Sequence, residues 1–579
     1  DRWRGEFSLT ENAEYIFTVQ AWTDTFSTWL SDFHKRVAAG QQVASEAREG
    51  AAMIERAFAS AKGKEVDVIG AALDGLSKNA EHPVAALQAV NHPAVEDAMR
   101  RLQDRADAVT HAPELRVFAD RVRAECAAWY EFFVRSQGSS KDQSGTFADA
   151  EKRLPDIRDM GFDILYLPPI HPIGRTARKG PNNTLVAGPK DPGSPWAIGN
   201  ETGGHTAVEA SLGTIADFDR FVAKTRAMGM EVALDFAIQC SPDHPWVSEH
   251  PEWFYRRPDG TIKYAENPPK KYEDIYPLNF DSPAAGELWK ALRDVVLFWI
   301  GHGVKVFRVD NPHTKALPFW EWMIASIHER HPDVVFLAEA FTRPKVMKAL
   351  AKMGFSQSYT YFTWRNEKAA LMEYMTELSE SPMREYYRPN FFANTPDILH
   401  EYLQTGGPGA FRIRAALAAT LSPTWGIYSG FELCENAPVP GSEEYMDSEK
   451  FEIKPRDWNA PGNIKATITR LNAARRDNAA LRKLSNITFA DVQNDRVIGY
   501  VKTSEDRSNT VIAVISLDPH DPQASWLRLP LAKMGLPASA RFDVTDLLSG
   551  QTFNWGENNW VGLGPDMPAH ILRIDRRTA

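Results

Sequence analysis

Between residues 129 and 484, short continuous apolar runs alternate with longer stretches in which apolar residues return every three or four positions. The sharpest runs are DILYL at 163–167, EVALDF at 231–236, VKVFRV at 304–309 and VVFLA at 334–338. Runs without polar alternation read as strands buried on both faces, and helices between them make the sheet parallel. The helices carry their own punctuation. Thr214 opens one that Gly229 ends, and Ser282-Pro283 opens another whose apolar face shows Leu288, Leu292, Val295 and Trp299 before Gly301 and Gly303. Weaker strands are predicted near Val208, at 358–362, at 390–393 and at 425–429, bringing the count to eight. Eight favours an α/β fold closed as a (β/α)8 TIM barrel over an open doubly wound sheet. No G-x-G-x-x-G or Walker sequence follows any strand, which removes the commonest open-sheet readings.

The texture changes on either side. Residues 3–22 alternate as strands do (GEFSL, then YIFTV), and two strands make no stable domain by themselves. Residues 1–24 are therefore expected to be the end of an N-terminal β-sandwich whose earlier strands are missing. Residues 25–125 are rich in Ala, Glu, Arg, Lys and Leu with a period near 3.6, as in VASEARE from Val43 and AVEDAMRRL from Ala94. This predicts a helical bundle segment without a catalytic signature of its own. The barrel then occupies 126–484, with inserts near 171–204 and 241–280 rich in Pro, Gly, Asn and Lys, which belong at a barrel's catalytic face. From 485 to 579, short alternating strands with Asn, Asp and Gly turns predict a terminal β-sandwich.

Composition narrows the function classes. A chain of 579 residues suggests two to four domains, and 43% hydrophobic with 25% charged residues is ordinary for a soluble globular protein. A net charge of −10 with no basic block argues against nucleic-acid binding. Cys126, Cys240 and Cys434 lie far apart, which is neither a disulfide framework nor a zinc spacing. With no apolar run of membrane-spanning length and no signal peptide, a cytoplasmic location is expected. The N-x-Thr matches at Asn182, Asn200 and Asn486 are then chance hits.

Candidate chemistry sits where strands end. In a barrel, a polar residue just past a strand's C-terminal end points into the mouth. Asp310 ends VKVFRV, Glu339 ends VVFLA, and Asp397 follows FFANTP. An acid directly after an apolar run is costly unless it is paired or serves chemistry. Neighbouring strands would hold Asp310 and Glu339 together, and carboxyl groups ~5–5.5 Å apart suit a retaining double displacement. Arg308, two residues before Asp310 on the same face, could keep Asp310 ionised as nucleophile, while Glu339 must stay protonated to serve as acid/base.

These segments resemble those of glycoside hydrolase family 13, the α-amylase family: FRVD at 307–310 the second, Glu339 the third, Asp397 the fourth, and EVALD at 231–235 the first. Two places depart from it. Gln239 and Cys240 stand where the first segment usually has Asn and His, and Pro396 stands where a His usually precedes the fourth-segment acid. The resemblance therefore implies no amylase-type calcium site, and neither a metal nor a cofactor is expected. Longer strings, FRVDNPHTK at 307–315, FLAEAFTRP at 336–344, YAENPPKKY at 264–272 and LDFAIQCSPDHPW at 234–246, are similar to the family's actinobacterial maltose-1-phosphate maltosyltransferase branch. That resemblance implies transfer of maltosyl units from α-maltose 1-phosphate to the non-reducing 4-hydroxyl of an α-1,4-glucan such as glycogen, with release of phosphate. It implies Asp397 as transition-state stabiliser. It also implies Asn267, Lys270, Tyr272 and Asn311 at the phosphate with Ser194 close by, and Lys179, Asn183 and Gln239 at the maltosyl part. Branch members form homodimers. His313 and Lys315 are acceptor-side candidates or satisfied loop residues, and Trp364, with Tyr361 and Phe362, stacks on sugar or packs the rim. A hydrolase or trehalose-forming mutase would share the acids without needing phosphate, and a glucan-binding scaffold would not need them.

Overall fold

In the computed structural model, which describes residues 4–575 apart from the side chains of Asn267 and Lys270, eight strands form one parallel sheet. They are Ala127–Glu131 (β1), Ile164–Leu167 (β2), Glu231–Phe236 (β3), Val306–Asp310 (β4), Val335–Glu339 (β5), Gln357–Ser358 (β6), Asn390–Phe392 (β7) and Thr424–Tyr428 (β8). Neighbours follow the order β6-β5-β4-β3-β2-β1-β8-β7. The ring closes where Ser358 bridges Pro389 and donates its N–H to the Arg388 carbonyl at 3.0 Å. This is the (β/α)8 barrel, with one strand exchanged relative to the sequence reading. Near Val208 the chain makes bends and turns that lead to the next helix. The missing strand is β1, whose two alanines give it little strand propensity, yet all five of its residues are buried.

Alternation along each strand divides the apolar residues between two clusters. Trp129, Ile164, Tyr166, Ala233, Val306, Val335, Leu337, Tyr359 and Phe392 fill the interior. Leu165, Leu234, Phe307, Val309, Phe336 and Ala338 face outward, into the core shared with the surrounding helices. On β4, therefore, Val306, Arg308 and Asp310 rise through successive interior layers, beside Val335, Leu337 and Glu339 on β5. Phe392 fits because β8 carries Gly426, where an added Cβ would stand 2.7 Å from the Phe392 ring.

The helices start and stop for local reasons. Helix Ile215–Ala227 opens on a capping box, in which Thr214 Oγ1 accepts the Asp217 N–H and Asp217 Oδ2 accepts the Thr214 N–H, and it buries Phe218, Phe221 and Val222. Helix Ala285–Gly301 buries Leu288, Leu292, Val295, Val296 and Trp299, and Gly303 beyond it takes φ +89°. Helix Gly407–Leu421 is buried almost all round because the C-terminal sheets cover its outer side.

Those sheets hold six and three strands. Strand Thr510–Ser516 has two buried faces: Ile512 and Val514 enter the core between the sheets, whereas Val511, Ala513 and Ile515 join the barrel's core. Tyr500 on the neighbouring strand also points to the barrel, with its hydroxyl 2.6 Å from Thr420 Oγ1.

Residues up to Ala119 form a separate unit with its own core. Its helices run from Thr25 to Leu102, and Phe26, Trp29, Phe33, Ile54, Ile69 and Leu76 pack among them. Gly50 lets two helices meet, since an added Cβ would lie 2.0 Å from the Trp29 ring. Beyond Leu102 the helical texture ends: Glu14–Phe17 pairs with Leu115–Phe118, and Gln20–Ala21 with Val109–Thr110. Among the described residues, no helix is long and apolar enough to cross a membrane.

Candidate active site

β4 and β5 bring Asp310 and Glu339 to the C-terminal rim as Cα partners in the ladder. One layer below, Arg308 turns a buried guanidinium, 5% exposed, toward three carboxylates. Its Nη1 donates to Asp310 Oδ1 at 2.8 Å and to Asp235 Oδ2 at 2.9 Å, and its Nη2 lies 3.5 Å from Glu339 Oε2. Burial acts to lower the Arg308 pKa, but Asp235 first, then Tyr166, Glu339 and Asp310, raise it well above its usual range. A buried cation of this kind is tolerated because its partners are buried with it.

The acids differ in environment. Burial raises Glu339 to about 8; Arg308 opposes the rise, and Asp310 and Asp397 add to it. At neutral pH it is held as the acid. Asn311 takes φ +43°, a left-handed conformation that Asn tolerates. Its backbone N–H donates to Glu339 Oε2 at 3.1 Å, and its side-chain amide donates to Asp310 Oδ2 at 3.4 Å. Asp235 accepts from Tyr166 Oη at 2.6 Å and Trp196 Nε1 at 3.2 Å, and burial raises it to about 7.

Above these groups opens a cavity of about 850 Å³. Asp310, Glu339, Asp397 and Asn311 line it, with Arg308 beneath. The long inserts contribute Lys179, Asn183, Ser194 and Tyr272 to the same cavity, and Gln239, just before the second insert, joins them. Lys179 is buried, with Nζ 2.8 Å from Glu273 Oε2, and Gln239 donates to the Trp196 carbonyl at 3.4 Å. The side chains of Asn267 and Lys270 lie outside the described residues; their backbones pair across a hairpin that continues as Lys271–Glu266 and Tyr272–Ala265. His313 and Lys315 also line the cavity. Burial lowers Lys315 to about 8. Trp364 instead packs edge-on against Phe341 at 5.3 Å and donates to Glu443 at 3.2 Å, while Phe362 stacks on Phe391 at 4.4 Å.

Sequence reading missed several groups. Lys450, from the loop after β8, forms an ion pair with Asp397, and Trp196 and Asp274 join the lining. Burial raises Asp274 to about 6. No strand or motif announces these loop residues. Glu131 is different: it ends the apolar run of β1 just as Asp310 and Glu339 end theirs, is 2% exposed, and is pushed far above the carboxylate range by burial. Recognition of β1 would have found it.

Among the described residues, His205, Cys240 and His244 hold three potential metal-ligating atoms within 4.8 Å. Their hydrogen bonds speak against coordination. His244 Nδ1 accepts the Trp246 N–H at 3.0 Å, so its Nε2 carries the proton shared with His205 Nδ1 at 3.1 Å. His205 Nε2 is then left to donate to the Ala237 carbonyl at 3.0 Å. Neither imidazole keeps a free lone pair, and burial pushes the Cys240 thiol up, away from thiolate.

Comparison with known proteins agrees with this architecture. A family model described as alpha-1,4-glucan:maltose-1-phosphate maltosyltransferase, domain N/S, matches residues 1–121, and one described as GLGE, C-terminal, matches residues 489–574. The alpha-1,4-glucan:maltose-1-phosphate maltosyltransferase of Chlorobaculum tepidum is 52% identical over 99% of this chain and 87% of its own length. The enzyme named alpha-1,4-glucan:maltose-1-phosphate maltosyltransferase 1 from Streptomyces coelicolor is 51% identical over 100% of this chain and 86% of its own. Among solved structures, the maltogenic α-amylase AmyB of Thermotoga neapolitana superposes with a TM-score of 0.61 at 19% identity, covering 79% of this chain and 100% of that one. An α-amylase of Lactobacillus plantarum gives 0.57 at 22% identity over 78% of this chain and 100% of that one, and both bear on the fold alone. At half identity over essentially its whole length, this chain belongs to the α-1,4-glucan:maltose-1-phosphate maltosyltransferase family.

Proposed function

We propose that this chain transfers maltosyl units from α-maltose 1-phosphate to the non-reducing 4-hydroxyl of α-1,4-glucans, with retention and release of phosphate. The observation that carries the mechanism is the shared guanidinium: Arg308 binds Asp310 and Glu339 on adjacent strands, while burial keeps Glu339 protonated. Asp310 attacks C1 of the donor as the bond to the phosphate oxygen breaks, and Glu339 gives its proton to that oxygen. A β-maltosyl ester on Asp310 results. Glu339, now a carboxylate, takes the proton of the acceptor 4-hydroxyl, whose oxygen displaces Asp310 and restores the α-linkage. Asp397, steadied by Lys450, is assigned to the hydroxyls of the donor-site sugar and to the oxocarbenium-like transition state.

Tyr272, Asn311 and Ser194 supply oriented donors for phosphoryl oxygens, together with Asn267 and Lys270 of the hairpin. Lys179, Asn183 and Gln239 are assigned to the maltosyl part. The reading includes a homodimer and a cytoplasmic location, the latter in keeping with three free cysteines. The test is phosphate release from α-maltose 1-phosphate with and without glycogen. Release that depends on glycogen, with chain extension, is expected. No release in either case would refute the transferase, and persistent release by Asp310→Ala would refute the nucleophile.

A further inference from the structure

The three-stranded C-terminal sheet turns Val492, Leu527, Val561 and Leu563 into the core between the sheets. Its other face carries two indoles in water. Trp526 and Trp560 are 49% and 59% exposed, stand directly opposite each other on Gln523–Arg528 and Asn558–Leu563, and place their rings 5.5 Å apart at 67°. Outward positions of a period-two strand are normally polar, so a cross-strand pair of exposed tryptophans is unusual. The surround is polar on one side and low on the other. Arg528 opposes Asn558 and donates to Glu557 at 2.9 Å. Ala524 opposes Gly562, where nothing stands within 4 Å of an added Cβ.

We infer that this face is a second glucan-binding platform, outside the catalytic cavity, that holds the polymeric acceptor. The ligand's identity rests on the transferase reading above; the platform's existence does not. A pyranose ring offers an apolar C–H face that packs on indole, while its hydroxyls need donors and acceptors at the edge, which Arg528, Asn558 and Glu557 supply. Rings inclined to one another suit a chain that turns from sugar to sugar, as an α-1,4-glucan does, better than a flat ribbon. Area argues against a second copy of the protein. Two half-exposed tryptophans present roughly 200 Å², whereas a stable interface takes about 800 Å² from each partner. In the C-terminal sheets, Met567 is the one further exposed large apolar side chain among the described residues.

The experiment uses the full chain, with Trp526→Ala/Trp560→Ala and Trp526→Phe/Trp560→Phe compared with the parent. Native electrophoresis through gels containing glycogen reads binding, and phosphate release with maltohexaose or glycogen as acceptor reads turnover. The parent should be retarded by glycogen. The double alanine variant should lose that retardation and raise the apparent KM for glycogen by about tenfold, keep its maltohexaose rate within about twofold, and regain part of the retardation as the phenylalanine pair. Retardation unchanged in the double alanine variant would overturn the platform. So would equal losses with both acceptors, or a change of oligomeric mass by sedimentation with retardation intact, which would give the face to a second copy. If the parent releases no phosphate with any acceptor, the transferase reading fails, yet gel retardation still decides the platform.

Discussion

Replacing Arg308 with methionine keeps much of the buried volume and removes one charge from among three acids. Asp235 and Glu339 already stand at about 7 and about 8 while the guanidinium opposes the rise. Without it both climb further: Asp235 takes up a proton, Glu339 holds its own more firmly, and Asp310 loses its closest cation. Breaking a buried ion pair by removing one partner costs about 3–5 kcal/mol. In a unit of roughly 450 residues, about 2.1 cal/mol/K per residue makes each kcal/mol worth about 1 °C, so the melting midpoint should fall by about 3–5 °C. The kinetic loss should be larger, about 10²–10³-fold in kcat/KM for phosphate release, because the nucleophile loses its electrostatic support. Direction is the sharper test. Arg308 lowers the Glu339 pKa, so its loss should move the alkaline limb of the kcat/KM profile upward. Arg308→Lys should recover part of the midpoint and little of the rate, since one ammonium cannot reach acids on three strands. A methionine variant with an unmoved or lowered alkaline limb, or a rate within about threefold of the parent, would refute the role of the shared guanidinium.

Other consequences can be checked by melting and fluorescence. The folded-state pKa of Glu339 lies above its unfolded value of 4.5, so its contribution to stability is complete below that pH and is lost as pH rises toward about 8. Glu339→Gln should flatten the midpoint's dependence on pH across that window; a curve parallel to the parent's would count against it. Lys502, 1% exposed and lowered by burial from 10.5 to about 7, has the opposite sign: its penalty is full below pH 7 and is relieved toward pH 10.5. Lys502→Met should therefore stabilise by about 3 kcal/mol at pH 6, with the gain shrinking at pH 10, and a lower midpoint at pH 6 would sink the argument. Gly204→Ala would put a Cβ 2.2 Å from His244 Nε2. It should cost about 1–3 kcal/mol and alter fluorescence near Trp246, whose backbone N–H donates to that ring; an unchanged midpoint would show that the ring can move.

The barrel was legible where strands are buried on both faces and end in an acid, as β4 and β5 are. It was illegible at β1, where AAWYE owes its conformation to pairing with β8 and β2 rather than to propensity. Asp310, Arg308 and Glu339 follow from strand period and neighbouring position, so local pattern sufficed. Lys450 meets Asp397 across 53 positions of chain, and Lys179 meets Glu273 across 94, distances over which periodicity says nothing. Trp526 and Trp560 each sit in a readable alternating strand, but their pairing depends on a register that the tertiary fold sets.

Strand Thr510–Ser516 has a consequence for how such a chain changes over time. Because one of its faces belongs to the terminal sheets and the other to the barrel, each inward substitution there answers to two neighbours at once. The terminal sheets are therefore no detachable appendage: cutting the chain before Ile487 would leave the Thr420 hydroxyl without Tyr500 and the Leu421 carbonyl without Lys502, and grafting foreign sheets in their place would need a matching outer surface. Barrel and terminal sheets thus share one buried seam, and a change on either side of it must be matched on the other.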